Sequence, residues 1–568
     1  MQHLIETLIR DALASAVVSG ELTLAEMPVV TAERPREVAH GDWATNVAMR
    51  AAKAAGMPPR QIAAIIAGRI SGHPDIAAVE IAGPGFINIR LSDAALQRVV
   101  AEARTQGAAF GRTETGAGRT LQVEFVSANP VGPMHVGHGR WAALGDSLAR
   151  ILEHVGFRVE REFYINDQGV QMDIFAESVA ARYLELTGRE VTFPAEGYRG
   201  AYITDIAREI RAEEGERWAD TPAEERESYF KERAYAQVLE HLKHVLSGMG
   251  VTFDVWFSER TLHAPGPDGG PSEIERAIAR LREAGYIFEH EGATWFRSTD
   301  FGDDKDRVLT KADGSYTYFA ADVAYHWNKL EERRFDIVID IWGADHHGYV
   351  KRMEAACAAL GHEGQLHVII GQLVNLFRNG EVVRMSKRTG EMVTFEDLLD
   401  EVGPDAARYF FLRRSTDQAL DFDIALAKEQ SSDNPVYYVQ YAHARICSIL
   451  RKAAGMPEAE DVRMLVSALV PADADLALLG ADAELALFRR LGEFAEVVEI
   501  AAAQYAPHKL TRYAEELAAA FHQFYTVCRV VDPDAPELTA ARLAVVDATR
   551  IVLELVLGLL GVHAPQRM

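Results

Sequence analysis

Cysteine is scarce in this chain of 568 residues: Cys357, Cys447 and Cys528 lie far apart. This spacing argues against a disulfide framework and against a zinc site built on cysteines. The sequence also lacks the run of about eighteen apolar residues that a membrane-spanning helix needs. Its N-terminal segment has an amphipathic pattern but no charged start or cleavage site typical of a signal peptide. We therefore expect a cytoplasmic protein without a membrane partner.

The chain also has fewer basic than acidic residues. The chain has 59 Lys and Arg against 84 Asp and Glu, a formal net charge of −25. Nucleic-acid binding depends on Lys and Arg contacts to phosphates, so this balance argues against indiscriminate binding of nucleic acid. A local basic patch remains compatible with it.

The hydrophobic pattern predicts three regions. Residues 1–110 are expected to form an α/β module, residues 119–433 a Rossmann-like doubly wound parallel sheet, and residues 434–568 an α-helical bundle. Residues 107–118, rich in small and polar side chains, are predicted to be a linker. The predicted fold class is therefore α/β with an added C-terminal helical bundle.

Within the second region, Thr120–Val126, the following helix and Val159–Ile165 form a βαβ pattern. Charged helical stretches at about 175–300 are predicted to be an insertion, in which Thr221 and Glu224 have capping-box spacing. The sheet is expected to resume at Asp336–Trp342. A hairpin turning at Asn379–Gly380 then leads to a loop at 384–390.

The segment His135–Val136–Gly137–His138 lies between a predicted strand and a predicted helix. A helix N-terminus favours anions, both imidazoles can donate hydrogen bonds to phosphate, and Gly137 leaves room for a flat adenine. Taken alone, such a pair of histidines is also compatible with core or solvated residues.

A second segment, Arg384–Arg388, lies in the loop after the hairpin. Met385, Ser386 and Lys387 there would suit a loop that brings a cation to a nucleoside triphosphate attacked at its α-phosphorus. Taken alone, this segment is also compatible with a solvated basic turn.

Together the two segments resemble the ATP-site motifs of class I aminoacyl-tRNA synthetases. Further segments resemble arginyl-tRNA synthetases in particular and extend the resemblance over practically the whole chain: Val123–Pro130, Phe301–Val308, Tyr318–Asp322, Asn434–Arg445 and Ala564–Met568. The resemblance implies that the protein forms arginyl-adenylate from L-arginine and ATP and transfers arginine to its tRNA. Many members carry a lysine where this chain has Gly132 and lack the loop lysine, so here the mobile cation is assigned to Lys387.

The resemblance also assigns the site. His135, His138, Ser386 and Lys387 are the expected catalytic residues, and His135, Gly137, His138, Met385 and Lys387 are expected to bind ATP. Glu124, Tyr318 and Asp322 are expected to surround the guanidinium, with Asn129 near the α-amino group and Asp345 at the substrate edge. A planar guanidinium suits carboxylates, which accept its hydrogen bonds in pairs.

The sequence supports the expected arginine-binding roles of Glu124 and Asp322 to different degrees. Glu124 has independent support because a carboxylate midway along an apolar strand is costly without a partner. Asp322 is also compatible with a surface or helix-capping carboxylate.

The sequence has one pair of adjacent histidines that bears on metal binding. The doublet His346–His347 could suggest a metal, but no cluster of Cys or carboxylates completes a site. We expect no structural metal, and Mg²⁺ is expected to arrive with ATP as substrate.

For tRNA, the resemblance implies contacts at both ends of the chain. Phe86 and Asn88 match positions that contact a D-loop base, and Tyr438, Gln440, Tyr441 and Arg445 match the anticodon-binding domain. Phe86 could instead be a core residue, and the tyrosines could be packing residues. Residues 435–568 contain twelve Lys and Arg against seventeen Asp and Glu, so a few well-placed groups must provide any grip on the anticodon.

Two other functions stay open at this point. One is a class I synthetase for another amino acid such as lysine, because carboxylates also hold an ammonium group. The other is a catalytically inactive tRNA-binding paralogue, although the retention of both ATP-site segments argues against it. A monomer is expected.

Overall fold

The computed structural model describes residues 1–35, 37–266, 269–383 and 393–568. The predicted loop residues Met385, Ser386 and Lys387 lie outside the described residues. In the described part of the chain, no helix is long and apolar enough to cross a membrane.

The N-terminal region is a small α/β unit, as predicted. Its elements are α1 (Gln2–Val18), β1 (Trp43–Thr45), α2 (Val47–Ala55), α3 (Pro59–Ile70), β2 (Ile76–Ala82), β3 (Phe86–Leu91) and α4 (Asp93–Gln106). The strands form an antiparallel sheet in the order β1-β3-β2. Ile87 and Ile89 of the central strand are fully buried, because alternate residues of a strand point to the core.

The next elements confirm the predicted βαβ unit and continue into the insertion. They are β4 (Thr120–Glu124), α5 (Val136–His154), β5 (Arg158–Ile165), α6 (Val170–Leu186), α7 (Ala201–Glu214), α8 (Ala223–Gly248), β6 (Val255–Ser258), α9 (Arg260–His263), α10 (Glu273–Glu283), β7 (Ile287–His290), β8 (Ala293–Phe296) and β9 (Arg307–Thr310).

Two predictions about this stretch are wrong. The strand β6, which lies within the predicted insertion, pairs in parallel with β5, so the main sheet resumes well before Asp336. The predicted capping box does not form, because Pro222 occupies the N-cap of α8 and offers no side-chain acceptor. Thr221 instead donates its hydroxyl to the carbonyl of Arg217 at 3.0 Å.

The second half of the parallel sheet follows the insertion. Its elements are α11 (Tyr318–Trp327), β10 (Ile337–Gly343), α12 (Val350–Ala359) and β11 (Leu366–Gly371). The hairpin strands β12 (Val374–Arg378) and β13 (Glu381–Val382) follow and belong to a separate sheet. The main sheet has the order β11-β10-β4-β5-β6 with parallel pairing throughout. The order reverses between β4 and β10, and ligands of such sheets bind at this switch point.

The C-terminal region is the predicted helical bundle, preceded by shorter helices and one strand. They are α13 (Phe395–Val402), α14 (Pro404–Leu412), β14 (Leu420–Asp423), α15 (Ile424–Lys428), α16 (Pro435–Ala453), α17 (Arg463–Leu469), α18 (Asp482–Gly492), α19 (Phe494–Ala503), α20 (His508–Val527) and α21 (Pro536–Leu559). One hydrophobic core joins these helices to the N-terminal region and to one face of the main sheet, and a second core covers the opposite face.

Candidate active site

A cavity of about 1200 Å³ opens at the switch point of the main sheet. The ends of β4 and β10, the first turn of α5 and the helix α11 line it. The cavity contains every residue that was predicted to bind arginine, and also His135, Gly137 and His138 of the predicted ATP site. The topology therefore brings both groups of predicted residues, apart from those outside the described ranges, into one recess.

The chain turns sharply where β4 ends. Val126 and Ser127 adopt left-handed backbone conformations, with φ of 70° and 39°. This turn lets the Ser127 hydroxyl donate to Oε1 of Glu124 at 2.8 Å while accepting the backbone N–H of Tyr164 at 3.2 Å. Glu124 is thereby held against the cavity wall. Further along, exposed Asn129 donates its amide to Gln171 at 2.7 Å.

The first turn of α5 carries the two histidines. His135 is the N-cap, and its backbone N–H donates to Nδ1 of His138 at 3.2 Å. The two imidazoles stack with ring centroids 3.7 Å apart. A Cβ at Gly137 would lie 2.9 Å from the His135 ring, so glycine allows both rings to sit over the helix end.

Gly132, the position that led us to assign the mobile cation to Lys387, lies in close contact with a tyrosine. The hydroxyl of Tyr202 on α7 donates to the carbonyl of Val131 at 2.7 Å. A Cβ at Gly132 would lie 2.6 Å from that hydroxyl oxygen. A lysine there would have to displace Tyr202.

Tyr318 and Asp322 lie one turn apart on α11, as their spacing predicted. Tyr318 is 60% exposed at the cavity mouth, and Asp322 is half-buried and accepts the Tyr349 hydroxyl at 2.5 Å. Burial raises the pKa of Asp322 to about 6, although the Tyr349 hydrogen bond and His326 act in the opposite direction. Asp345 is exposed at the rim, 3.4 Å from the imidazole of His346.

Behind these residues lies a buried ionic cluster that was not predicted from the sequence. The Lys329 ammonium contacts Glu124 at 2.5 Å and Asp340 at 2.9 Å, and its side chain is fully buried. Asp340 also accepts Nε2 of His326 at 2.8 Å, while Nδ1 of His326 lies 2.8 Å from the Asp322 carbonyl. Both ring nitrogens of His326 thus face oxygen acceptors.

The charges in this cluster affect one another strongly. Burial opposes ionisation of Asp340, yet Lys329 and His326 lower the pKa of its carboxyl to about 2. Burial likewise opposes the Lys329 ammonium, but Asp340 and Glu124 raise its pKa above the ordinary value. Burial raises the pKa of Glu124, with Lys329 acting in the opposite direction and Asp340 adding to the rise.

One signal in the sequence could have revealed part of this cluster. Asp340 lies midway along an apolar strand, the same pattern that drew attention to Glu124. Lys329 carried no such signal, because it lies in a π-helical turn (Asn328–Glu332) that changes the helical register after α11.

At the N-terminal end, the predicted tRNA contacts share one face of β3. Phe86 is 42% exposed, which excludes the alternative that it is a core residue. Asn88 points to the same side but is largely covered, between Glu80 of β2 and Ala44 of β1.

At the C-terminal end, three of the four predicted residues take part in a surface aromatic group on α16 and α20. Tyr438 and Tyr441 lie 5.2 and 6.3 Å from the ring of His522, and the Arg445 guanidinium stacks 4.7 Å from the ring of Tyr525. Gln440 is buried, and its amide donates to Asp405 and to the carbonyl of His563. These bonds favour a structural role for Gln440 over the predicted tRNA contact.

Among the residues that the structure describes, no group of three His, Cys, Asp or Glu side chains is placed to hold a metal ion. The doublet His346–His347 therefore gains no further ligand from that part of the chain.

Comparison with known proteins follows the same three regions. The profile of the arginyl-tRNA synthetase N-terminal domain matches residues 3–91, that of the class I (R) catalytic domain matches residues 100–430, and that of the DALR anticodon-binding domain matches residues 439–568. The chain belongs to the arginyl-tRNA synthetase family. The catalytic profile alone spans more than half of it.

Named relatives of this family cover nearly the whole chain. An arginine–tRNA ligase of Heliobacterium modesticaldum is 49% identical over 98% of this chain and 97% of its own length. One of Listeria welshimeri is 50% identical over 99% of this chain and 98% of its own length. The arginyl-tRNA synthetase structure from Thermus thermophilus shares the fold, with a TM-score of 0.75 and full coverage of both chains at 23% identity.

Proposed function

We propose that this member of the arginyl-tRNA synthetase family is an arginine–tRNA ligase whose two reaction steps take place in the cavity at the switch point. The arginine carboxylate attacks the α-phosphorus of ATP, giving arginyl-adenylate and pyrophosphate. The terminal ribose hydroxyl of tRNA then attacks the activated carbonyl and releases AMP. Residues 119–433 would carry this chemistry, with residues 1–110 meeting the tRNA elbow and residues 434–568 the anticodon.

The acidic end of the cavity is the observation that carries this proposal. Glu124 and Asp340 contact Lys329 there, and the Asp322 carbonyl lies 2.8 Å from Nδ1 of His326, so the carboxylates are in excess over the one buried lysine. A permanently charged guanidinium would balance that excess and could donate to several fixed oxygens at once. Tyr318 and Asn129, nearer the mouth, would then lie along the rest of the amino acid.

The histidine-bearing first turn of α5 supports an ATP subsite beside this end. Backbone N–H groups at a helix N-terminus and two imidazoles suit a triphosphate, and Gly137 leaves its backbone open to the adenine. Ser386 and Lys387 would add hydrogen bonds and positive charge as the α-phosphorus is attacked. Mg²⁺ would enter bound to ATP, held by phosphate oxygens rather than by a protein cage.

The exposed aromatic groups support the two RNA surfaces. Phe86 could stack on an unpaired base of the elbow, and Tyr438, Tyr441 and Arg445 could hold bases of the anticodon loop. We further propose a cytoplasmic monomer, for which light scattering during gel filtration would test the oligomeric state.

Pyrophosphate exchange with each standard amino acid, with and without tRNA, tests the function. We expect arginine-dependent exchange and none with lysine. Exchange driven by lysine would indicate the other class I specificity, and tRNA binding without any adenylate formation would indicate an inactive paralogue.

A separate variant tests the assignment of the mobile cation. Lys387→Ala should lower the rate of adenylate formation much more than it raises the ATP KM, because the cation would act mainly in the transition state. Lys387→Arg, which keeps the charge, is the matched control. Equal losses in rate and in ATP binding would contradict the proposed role.

A further inference from the structure

Lys329 is a buried cation without an assigned role. Its ammonium joins the last residue of β4 to the middle of β10, through Glu124 at 2.5 Å and Asp340 at 2.9 Å. It also lies 4.1 Å from the centre of the Tyr325 ring. None of its surface is exposed, so it is held in a single place between the sheet and the end of α11.

The two carboxylates that it contacts differ in their relation to the cavity. Both line the recess, but Glu124 retains slight exposure to solvent, whereas Asp340 has none. Oε2 of Glu124 faces Lys329, and Oε1 accepts the Ser127 hydroxyl. A carboxylate oxygen can accept more than one hydrogen bond, so Oε1 keeps the capacity to accept one from a ligand in the recess.

We propose that Lys329 is a positioning residue for arginine, which fixes the orientation of Glu124 and keeps its carboxylate charged in the cavity wall. Without the ammonium, Glu124 and Asp340 would face each other as like charges in a buried site. Glu124 would then take up a proton or turn away, and either change would weaken its attraction for a guanidinium. This inference rests on the arginine site proposed above.

Other charged and titratable groups surround Lys329 and bear on any dependence on pH. Three strands contribute one carboxylate each: Glu124 from β4, Glu162 from β5 and Asp340 from β10. Glu162 is already paired with Arg333 and the Tyr325 hydroxyl. The helices add His326 from α11 and the buried thiol of Cys357 from α12.

Steady-state aminoacylation at saturating ATP and tRNA tests the inference. Lys329→Met should raise the arginine KM at neutral pH roughly ten- to a hundredfold, the size of effect seen when a metal-binding side chain loses the partner that orients it. Because a higher pH favours the charged form of Glu124, this loss should be smaller at higher pH. The ATP KM should change little.

Two companion variants separate charge from shape. Lys329→Arg keeps the cation, so its arginine KM should show the pH dependence of the wild type even if the added bulk raises it. Lys329→Met combined with Asp340→Asn removes one charge of each sign, and it should recover part of the arginine KM lost in Lys329→Met. Thermal unfolding of each variant reports whether the protein remains folded.

Four outcomes would overturn the role of Lys329 or the arginine site. An unchanged arginine KM in Lys329→Met, or a pH-independent rise that the ATP KM shares, would overturn the role of Lys329. A double variant no better than Lys329→Met would do the same. If Glu124→Gln leaves the arginine KM unchanged, the arginine site itself fails, and the Lys329 inference fails with it.

Discussion

The turn after β4 shows how single residues set the geometry of the site. Val126 has a left-handed backbone with φ of 70°, a conformation that a β-branched residue adopts at a cost of about 1–3 kcal/mol. Ser127 offsets part of that cost by bonding both Glu124 and the backbone of β5. The strain therefore lies at the position where a carboxylate must be aimed out of a strand and into a cavity.

Removing the charge of Asp322 should weaken arginine binding strongly. Asp322→Asn should cost about 2–5 kcal/mol of arginine binding, because the guanidinium loses a desolvated charge partner. This corresponds to roughly thirty- to several-thousandfold in kcat/KM for arginine. Asp473→Asn, an exposed change in the C-terminal region, is the matched control. A change within about twofold for Asp322→Asn would remove this residue from the site.

The raised pKa of Asp322 gives a second prediction at the same position. The carboxyl is neutral below a pH of about 6 and charged above it, while arginine stays charged throughout. Arginine binding should therefore be strong at neutral pH and weaken as the pH falls through about 6. The arginine KM measured across this range checks the sign. A KM that improves on acidification would contradict it.

At the scale of elements, close contacts with glycine fix α5 against the sheet. A Cβ at Gly371, the last residue of β11, would lie 1.9 Å from the ring of Trp141 on α5. Trp141 follows His138 by less than one helical turn, so a shift of the ring would move the histidine-bearing end of the helix. The backbone of β11 and the indole ring therefore set the position of the ATP subsite.

Gly371→Ala should disturb that arrangement. Overpacking of this kind costs about 1–3 kcal/mol, so we expect a lower unfolding temperature. We also expect the ATP KM to rise more than the arginine KM. Gly558→Ala on α21, where nothing lies within 4 Å of the added Cβ, should leave activity unchanged and is the control. If both variants behave alike, the Trp141 contact does not position α5.

The elements also show what the sequence could and could not predict. Local patterns sufficed for the βαβ unit and for the hairpin, where Asn379 and Gly380 both have the positive φ that a tight two-residue turn requires. Lys329 escaped prediction because its partners Glu124 and Asp340 lie on different strands, and only the folded sheet places them side by side. The capping box at Thr221 failed because a neighbouring proline took the capping position.

At the scale of the whole molecule, the N-terminal region is packed against the C-terminal bundle rather than tethered loosely to it. In the predicted linker at 107–118, the ring of Phe110 stacks on that of Phe494 of α19, with centroids 5.9 Å apart. A Cβ at Gly111 would lie 2.6 Å from the Phe494 ring. This segment is therefore fixed by packing. The two proposed RNA surfaces, on β3 and on α16, belong to regions that share one hydrophobic core.

The ion pair between Asp42 and Arg489 tests whether this packing matters for tRNA. Asp42 is almost fully buried; it accepts the backbone N–H of Leu91 at 2.8 Å and the Arg489 guanidinium at 2.5 Å. Arg489→Met would leave the carboxylate without its counter-ion, at a cost of about 1–3 kcal/mol. Because the pair links the N-terminal sheet to α18, we expect easier proteolysis near residues 107–118 and a higher tRNA KM. The arginine KM at saturating tRNA should stay unchanged, since the cavity lies elsewhere. The control is Arg512→Met, which removes an exposed guanidinium from α20. Equal tRNA KM values for the two variants would show that the elbow and anticodon surfaces act independently.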